Sequence, residues 1–323
     1  MPNSASKTPL LVILGPTASG KTHIAVQVAA ALNGEIISAD SRQVYRKMDI
    51  GTGKDLAEYT LHGKHIPYHL IDILDAGQQY NVNDFQHDFE NAYEQIAAKS
   101  HFPIVCGGTG FYILSLLKGH AYASIPGNEL LRDELNEQPT DTLLERFETY
   151  NTPYQQVADT STRKRLIRAI EISEYLQVNP TEGTEFIASP PVYDYIVFGL
   201  NPDVNVRRER ISRRLQSRSE NGMVEEVKSL LGSGLQPEQL IYYGLEYKYI
   251  TLFLQGEMSY DEMVSRLETE IHRFAKRQMT YFRKMEKDGI VIHWLSDEYS
   301  EAEKIDQIVA GYQELCAALL RNK

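Results

Sequence analysis

The stretch that most limits what this chain can become is Gly15-Pro16-Thr17-Ala18-Ser19-Gly20-Lys21-Thr22. It follows an apolar run at residues 10–14 and opens a segment, residues 23–32, whose apolar positions recur at helical spacing. The pattern predicts a strand, a loop and a helix. Glycines let the backbone curl until consecutive N–H groups point inward, and the helix behind them adds the positive end of its dipole. Lys21 supplies a mobile positive charge, and the Thr22 hydroxyl is a ligand for Mg²⁺. A glycine-rich turn that merely starts a helix needs neither residue. Such a loop binds two or three linked phosphates. Amides and a lysine read phosphate and not the group attached to it, so the loop leaves open whether the ligand is a nucleotide.

A loop of this kind belongs to a parallel sheet flanked by helices, whose ligands collect beyond the carboxyl ends of the strands. Residues 35–39 read as a further strand ending in Asp40-Ser41-Arg42-Gln43-Val44-Tyr45. Asp40 then faces the phosphate loop, where a carboxylate serves as metal ligand, base or hydrogen-bond acceptor. Residues 48–54 are glycine-punctuated and predict a loop over the site. Residues 66–73 read as a strand or extended connection, and residues 83–99 as a helix capped by Asn83. A strand at 102–106 runs into Gly107-Gly108-Thr109-Gly110, with a helix at 111–117. This second strand–glycine–helix junction lies near the first and offers the Thr109 hydroxyl to the crevice.

The character changes after Gly119. Amphipathic stretches at 129–136, 140–149 and 162–178, separated by prolines and polar turns, predict a helical insertion. A strand at 195–200, helices at 206–217, 223–231, 245–254 and 260–285, a strand at 290–295 and a helix at 301–320 return the chain to the core. The expected organisation is core 1–121, insertion 122–191, core 192–323.

With 323 residues the chain exceeds what one undivided core usually reaches. No apolar run has the length of a membrane span, and residues 1–9 do not read as a targeting segment. Cys106 and Cys316 are the only cysteines and sit in apolar surroundings, which predicts packing thiols and a reduced, cytoplasmic setting. His62, His65 and His69 have helical metal spacing, but Gly63 and Pro67 interrupt any helix there, so they are expected at loop and strand edges.

The net charge of −11 argues against a polyanionic partner only until the charges are located. Salt screens exposed charges beyond about 8 Å, so local clustering decides what a nucleic acid meets. Three clusters exist: Arg163, Lys164, Arg165 and Arg168; Arg207, Arg208, Arg210, Arg213, Arg214 and Arg218; and Arg273, Lys276, Arg277, Arg283 and Lys284. A small-metabolite kinase, using the loop for ATP and Asp40 as base, accounts for the phosphate loop and the acid. It leaves the arginine clusters and the insertion without a task.

Taken together, GPTASGKT at 15–22, DSRQVY at 40–45, DIGTGK at 49–54, HLID at 69–72, GGTGFY at 107–112, RKRLIRAIEI at 163–172 and FAKRQMTYFR at 274–283 make the chain resemble the tRNA dimethylallyltransferases, from residue 10 to about 285. The loop is common to many families; DSRQ, GGTG and AKRQ in this order are specific. The resemblance implies a P-loop NTPase-like fold with an inserted all-helical tRNA-binding domain. It implies transfer of a dimethylallyl group from its diphosphate to N6 of adenosine 37 in the tRNA anticodon loop; Mg²⁺, held by Thr22, is the expected cofactor and a monomer the expected working form.

By the same resemblance Asp40 is the base, Lys21 and Thr109 act with it, and Gly15 to Thr22 hold the diphosphate together with Arg210 or Arg214. Ser41 and Gln43 hold the adenine, while Arg42, Arg132, Lys164, Arg165, Leu166, Ile167, Arg168, Lys276, Arg277 and Gln278 meet the tRNA. Three places depart from the family pattern: Asp159-Thr160-Ser161 stands for its Asp-Pro, Tyr243-Gly244-Leu245-Glu246-Tyr247 for its Gly-Tyr-Lys-Glu, and Tyr281 for its tryptophan. Two distant cysteines rule out a zinc finger, so the chain looks bacterial in type.

Overall fold

A computed structural model describes residues 7–119, 122, 125–179 and 193–321. In chain order the elements are β1 (Leu10–Leu14), α1 (Lys21–Leu32), β2 (Gly34–Ser38), β3 (Thr60–Leu61), β4 (Lys64–His65), β5 (Tyr68–His69), α2 (Val82–Ala98), β6 (Phe102–Gly107) and α3 (Gly110–Lys118). Then follow α4 (Glu129–Asn136), α5 (Thr140–Thr149), α6 (Arg163–Val178), β7 (Tyr195–Leu200), α7 (Val204–Glu220), α8 (Met223–Gly232), α9 (Pro237–Tyr242), α10 (Leu245–Leu254), α11 (Tyr260–Lys287), β8 (His293–Leu295) and α12 (Glu301–Arg321). By contacts the chain forms two units, Met1–Leu114 with Tyr193–Lys323, and Ser115–Val192.

The larger unit is built on a six-stranded sheet in the order β5-β2-β6-β1-β7-β8, with every pairing parallel. β1 lies between β6 and β7, with Leu14 level with Gly107 on one side and Gly199 on the other. All five β1 side chains are fully buried, as a parallel strand covered on both faces requires. α1 and α12 cover one face through Ile24, Ala25, Val28, Ile308 and Tyr312. Gly311 lets α12 approach closely, because a Cβ there would stand 2.8 Å from the Phe198 ring. The Tyr312 hydroxyl donates to the Pro9 carbonyl at 2.7 Å and anchors the entry to β1.

The smaller unit packs α4, α5 and α6 around Leu131, Leu135, Leu143, Tyr150, Leu166, Ile167 and Ile170. Arg163 donates to the carbonyls of Leu135, Asn136 and Gln138, the open acceptors at the end of α4. Residues 180–191 of the expected insertion lie outside the described residues.

Local expectations differ from the structure in a few places. α2 is capped by Asn81, not Asn83: the Asn81 carboxamide accepts from the Asn83 N–H at 2.8 Å and Asp84 reaches back to the Asn81 N–H at 2.8 Å. Of the extended stretch 66–73 only Tyr68–His69 pairs, since Leu70 (φ 62°) and Asp72 (φ 56°) turn the backbone out of the sheet. The last strand is confined to His293–Leu295. The short helix α9 has no counterpart among the expected elements; Gln236 and Gln239 box its start and Pro237 opens it, a signal too short for helical periodicity.

Candidate active site

Three loops leave the carboxyl ends of adjacent strands β2, β6 and β1, and backbone bonds knit them together. The Ala39 N–H donates to the Cys106 carbonyl at 2.8 Å, and the Thr109 N–H returns to the Ala39 carbonyl at 3.2 Å. No side chain fits at Gly107, where a Cβ would overlap the Ala39 carbonyl. Gly15 is similarly enclosed, its Cβ position lying 2.6 Å from Ser19 Oγ and 2.7 Å from the Leu200 carbonyl oxygen. The phosphate loop turns on a bond from the Ser19 N–H to the Pro16 carbonyl and enters α1 through Ala18 (φ 61°) and Gly20 (φ 84°).

These loops open on a cavity of about 630 Å³. Its wall brings together Thr17, Ala18, Gly20, Lys21 and Thr22 with Asp40, Ser41, Arg42, Gln43 and Thr109, and with Arg214, Arg277 and Gln278. Asp40 Oδ1 accepts the Arg42 N–H at 2.9 Å, and Thr109 Oγ1 accepts the Ser41 N–H at 3.2 Å. Gln43 is held from two sides: its carbonyl accepts from Ser38 Oγ at 3.2 Å, and its amide donates to the Gly53 carbonyl at 3.2 Å. The Arg42 guanidinium lies 5.4 Å over the Tyr242 ring.

Burial lowers the Lys21 ammonium from the usual lysine value; Arg214 adds to this effect, while Cys106 and Asp40 oppose it. Burial, then the neighbouring Arg218, pushes the Arg214 guanidinium down to about 10, so it stays charged at neutral pH. Arg214 also donates to the Thr17 hydroxyl. Cys106 lies beneath the loop with its sulfur against the Thr22 hydroxyl, and burial pushes its thiol up to about 12, consistent with an inert packing thiol. Lys54, Arg218 and Glu246, which were not among the expected site residues although each lies in a stretch the sequence singles out, also line the cavity. Burial raises the Glu246 carboxyl, while Arg218 and Arg214 oppose the rise.

Not every expected site residue reaches this cavity. Arg210 is exposed, with Nη1 4.0 Å from the Cβ position of Gly20, and it is not part of the cavity wall. Leu166 and Ile167 were expected to meet tRNA, but their side chains are buried in the helical unit's core; amphipathic periodicity marks both as inward-facing. Gln278 is a strut. Its carbonyl accepts the Thr17 N–H at 2.8 Å and its amide donates to the Gly108 carbonyl at 2.9 Å, joining the two glycine loops to α11. Arg132 is paired to Glu129 and Glu171, Arg168 donates to the Ile125 carbonyl at 2.6 Å, and Arg165 meets Asp159 at 2.6 Å. Lys276 is exposed on α11, and Arg277 packs over Phe274.

Two family models match the chain, "IPP transferase" over residues 43–285 and "Isopentenyl transferase" over residues 8–69. A protein of Bacteroides fragilis named tRNA dimethylallyltransferase 2 is 53% identical over 305 residues, 94% of this chain and 98% of that protein. The tRNA dimethylallyltransferase 1 of Parabacteroides distasonis is 51% identical over 92% and 95% of the two chains. The crystal structure of a full-length tRNA isopentenylpyrophosphate transferase from Bacillus halodurans superimposes with a TM-score of 0.69 at 30% identity, covering 98% of this chain and 100% of that one. The fold is also shared, with a TM-score of 0.71, by a eukaryotic dimethylallyltransferase that is 24% identical, over 90% and 75% of the two chains.

Proposed function

The chain belongs to the IPP transferase family, and from that premise we propose that it transfers a dimethylallyl group from dimethylallyl diphosphate to N6 of adenosine 37, beside the anticodon of tRNA. The observation that carries the reading is the cavity itself, in which a phosphate loop and the half-buried Arg214 share one space with the acid Asp40 and the amide of Gln43.

The chemistry follows from the charges. The allylic C1–O bond breaks as the N6–C1 bond forms, and the bonding electrons leave with the diphosphate. The loop amides at Ala18, Gly20, Lys21 and Thr22, the Lys21 ammonium and the Arg214 guanidinium stabilise that growing negative charge in a site partly shut off from water. N6 is a weak base and must lose a proton as it attacks; Asp40 takes it, through Oδ2, since Oδ1 already accepts the Arg42 N–H. Gln43, fixed by Ser38 and Gly53, presents its amide to the extruded adenine, with Ser41 and Thr109 beside it. A stacked base must turn out of the anticodon loop to enter, so affinity has to come from the RNA backbone, which Lys164, Arg165, Arg168, Lys276 and Arg277 are suited to contact.

The hard oxygen donor at Thr22 fits Mg²⁺, which keeps several waters and takes its other ligands from a diphosphate. Bound there, the ion would add positive charge to the departing diphosphate. The enzyme is proposed to work as a monomer, in the cytoplasm with its tRNA.

Incubating the protein with dimethylallyl diphosphate and an anticodon stem-loop, then analysing nucleosides by mass, tests the reading. The expected product is N6-dimethylallyladenosine. Asp40→Ala should lower the transfer rate by roughly 10²–10⁴-fold while pyrophosphate binding persists. Phosphate transfer from ATP to a small acceptor without any need for tRNA would sink the proposal in favour of a kinase.

A further inference from the structure

Arg214 and Arg218 stand at i and i+4 on α7, on one face and about 6 Å apart along the axis. Both line the cavity. They are near enough for Arg218 to help depress the Arg214 guanidinium, a repulsion that the neighbouring acids Glu246 and Asp55 offset only in part and that an anion between the two would relieve.

Other cations of the wall are engaged with protein partners. Lys54 is fully buried and bound by Asp49 at 2.9 Å, Asp72 at 2.5 Å and the Tyr45 carbonyl. Arg42 lies over Tyr242, and Arg277 over Phe274. Arg218 differs. Its side chain is 12% exposed, its buried Nη2 has no hydrogen-bond partner among the described residues, and of the acids beside it Asp55 stands 3.7 Å away while Glu246 interacts with it through charge alone. Gly53 makes room for it, since any side chain at that position would overlap the guanidinium. A guanidinium that lines the cavity with no close hydrogen bond to a described protein acceptor favours an acceptor-rich, anionic occupant.

We propose that Arg218 is a second diphosphate-binding residue, forming with Arg214 a two-guanidinium clamp that selects two linked phosphates over one. The inference rests on reading the cavity as a diphosphate site and extends it: the phosphate loop and Lys21 take one phosphate, and the α7 pair bridges to the other. Bidentate guanidinium–phosphate pairs give the clamp its geometry. The opposed possibility is that Arg218 only braces the loop at residues 49–54 through Gly53 and Asp55.

Calorimetric titration of the full-length protein with inorganic pyrophosphate and with orthophosphate separates the two. Arg218→Met, close in length but uncharged, should weaken pyrophosphate by about tenfold or more while orthophosphate changes less than about twofold. In steady state the KM for dimethylallyl diphosphate should rise by a similar factor with the KM for tRNA held, and Arg218→Lys should recover part of the loss. Asp55→Asn, which relaxes only the brace, should leave pyrophosphate affinity within about twofold. Pyrophosphate binding unchanged in Arg218→Met, or pyrophosphate and orthophosphate weakened in parallel, overturns the clamp; Arg218→Gln supplies the same comparison if the methionine variant melts early. If the unmodified protein prefers pyrophosphate through Arg218 yet prenylates no tRNA, the proposed function falls and the clamp stands.

Discussion

Glu35 enters β2 at the end of the sheet away from the cavity and is 1% exposed. Its carboxylate accepts from His69 Nε2 at 2.7 Å, His101 Nδ1 at 2.6 Å and Lys99 Nζ at 3.0 Å, joining three segments that only the fold brings together. Burial by itself would raise this carboxyl; the bonds from His69, His101 and Lys99 outweigh it and leave the group below its usual value of 4.5. A carboxyl depressed on folding stabilises fully above its unfolded value, and that stability is lost as the pH falls through the folded one. Glu35→Gln should therefore cost about 2–3 kcal/mol at pH 7, with the gap to the unmodified protein narrowing as the pH drops below about 4.5. Urea denaturation at pH 7 and pH 4 reads both numbers; an equal gap at the two would contradict the assignment. Nothing in the sequence near His69 points to Glu35, and the spacing of His62, His65 and His69 points toward one another instead.

Among the elements, the loop at residues 49–54 is the one most dependent on partners far away in sequence. Glu226, from α8, accepts the N–H groups of Asp49 at 2.8 Å, Ile50 at 2.7 Å and Gly51 at 3.0 Å, and the Tyr247 hydroxyl of α10 at 2.7 Å. Gly51 leaves room for the Tyr247 ring, which a Cβ would meet at 2.7 Å. From the other side Lys54 draws the loop to Asp49 and Asp72. The loop thus arrives at the Gln43 amide already ordered, with the Gly53 carbonyl as acceptor. Replacing Glu226 by Gln removes a charge that serves four donors and should loosen the loop by about 1–3 kcal/mol. Hydrogen exchange at residues 49–51 should accelerate by about fivefold or more, since about 1.4 kcal/mol is a factor of ten, and prenyl transfer should slow. Unchanged exchange there would mean that Lys54 alone orders the loop. The glycines of DIGTGK announce a loop; the carboxylate that fixes it lies some 175 residues later.

For the molecule as a whole, charge is divided by task. The chain carries a net −11, yet the helical unit spends several of its arginines internally: Arg163 on the α4 carbonyls, Arg146 on Glu134 and Glu174, and Arg132 and Arg168 around the buried Glu171. Arg165 is 58% exposed, and Lys164 shares its end of α6. If these two meet tRNA phosphates, Lys164→Ala with Arg165→Ala should reduce the slope of log affinity against log salt by about 0.7–0.9 for each phosphate no longer neutralised, with pyrophosphate affinity unchanged. Fluorescence titration of an anticodon stem-loop across salt concentrations measures it, and an unaltered slope would remove both residues from the interface. The reach of sequence reading follows the same division. The strand, phosphate loop and first helix, the second glycine junction and the helices of 129–149 were legible, because turn chemistry and apolar periodicity act within a few residues. Arg218, Glu226 and the strut role of Gln278 were not, since identical side chains on a basic or amphipathic helix differ only in what faces them. The amino-acid sequence by itself determined that a phosphate-loop motif would follow β1 and open α1, and the motifs carried the family. The tertiary structure alone decided which of the α7 arginines turn inward, because sheet register and helix packing set those contacts across separations that no local hydrogen bond spans.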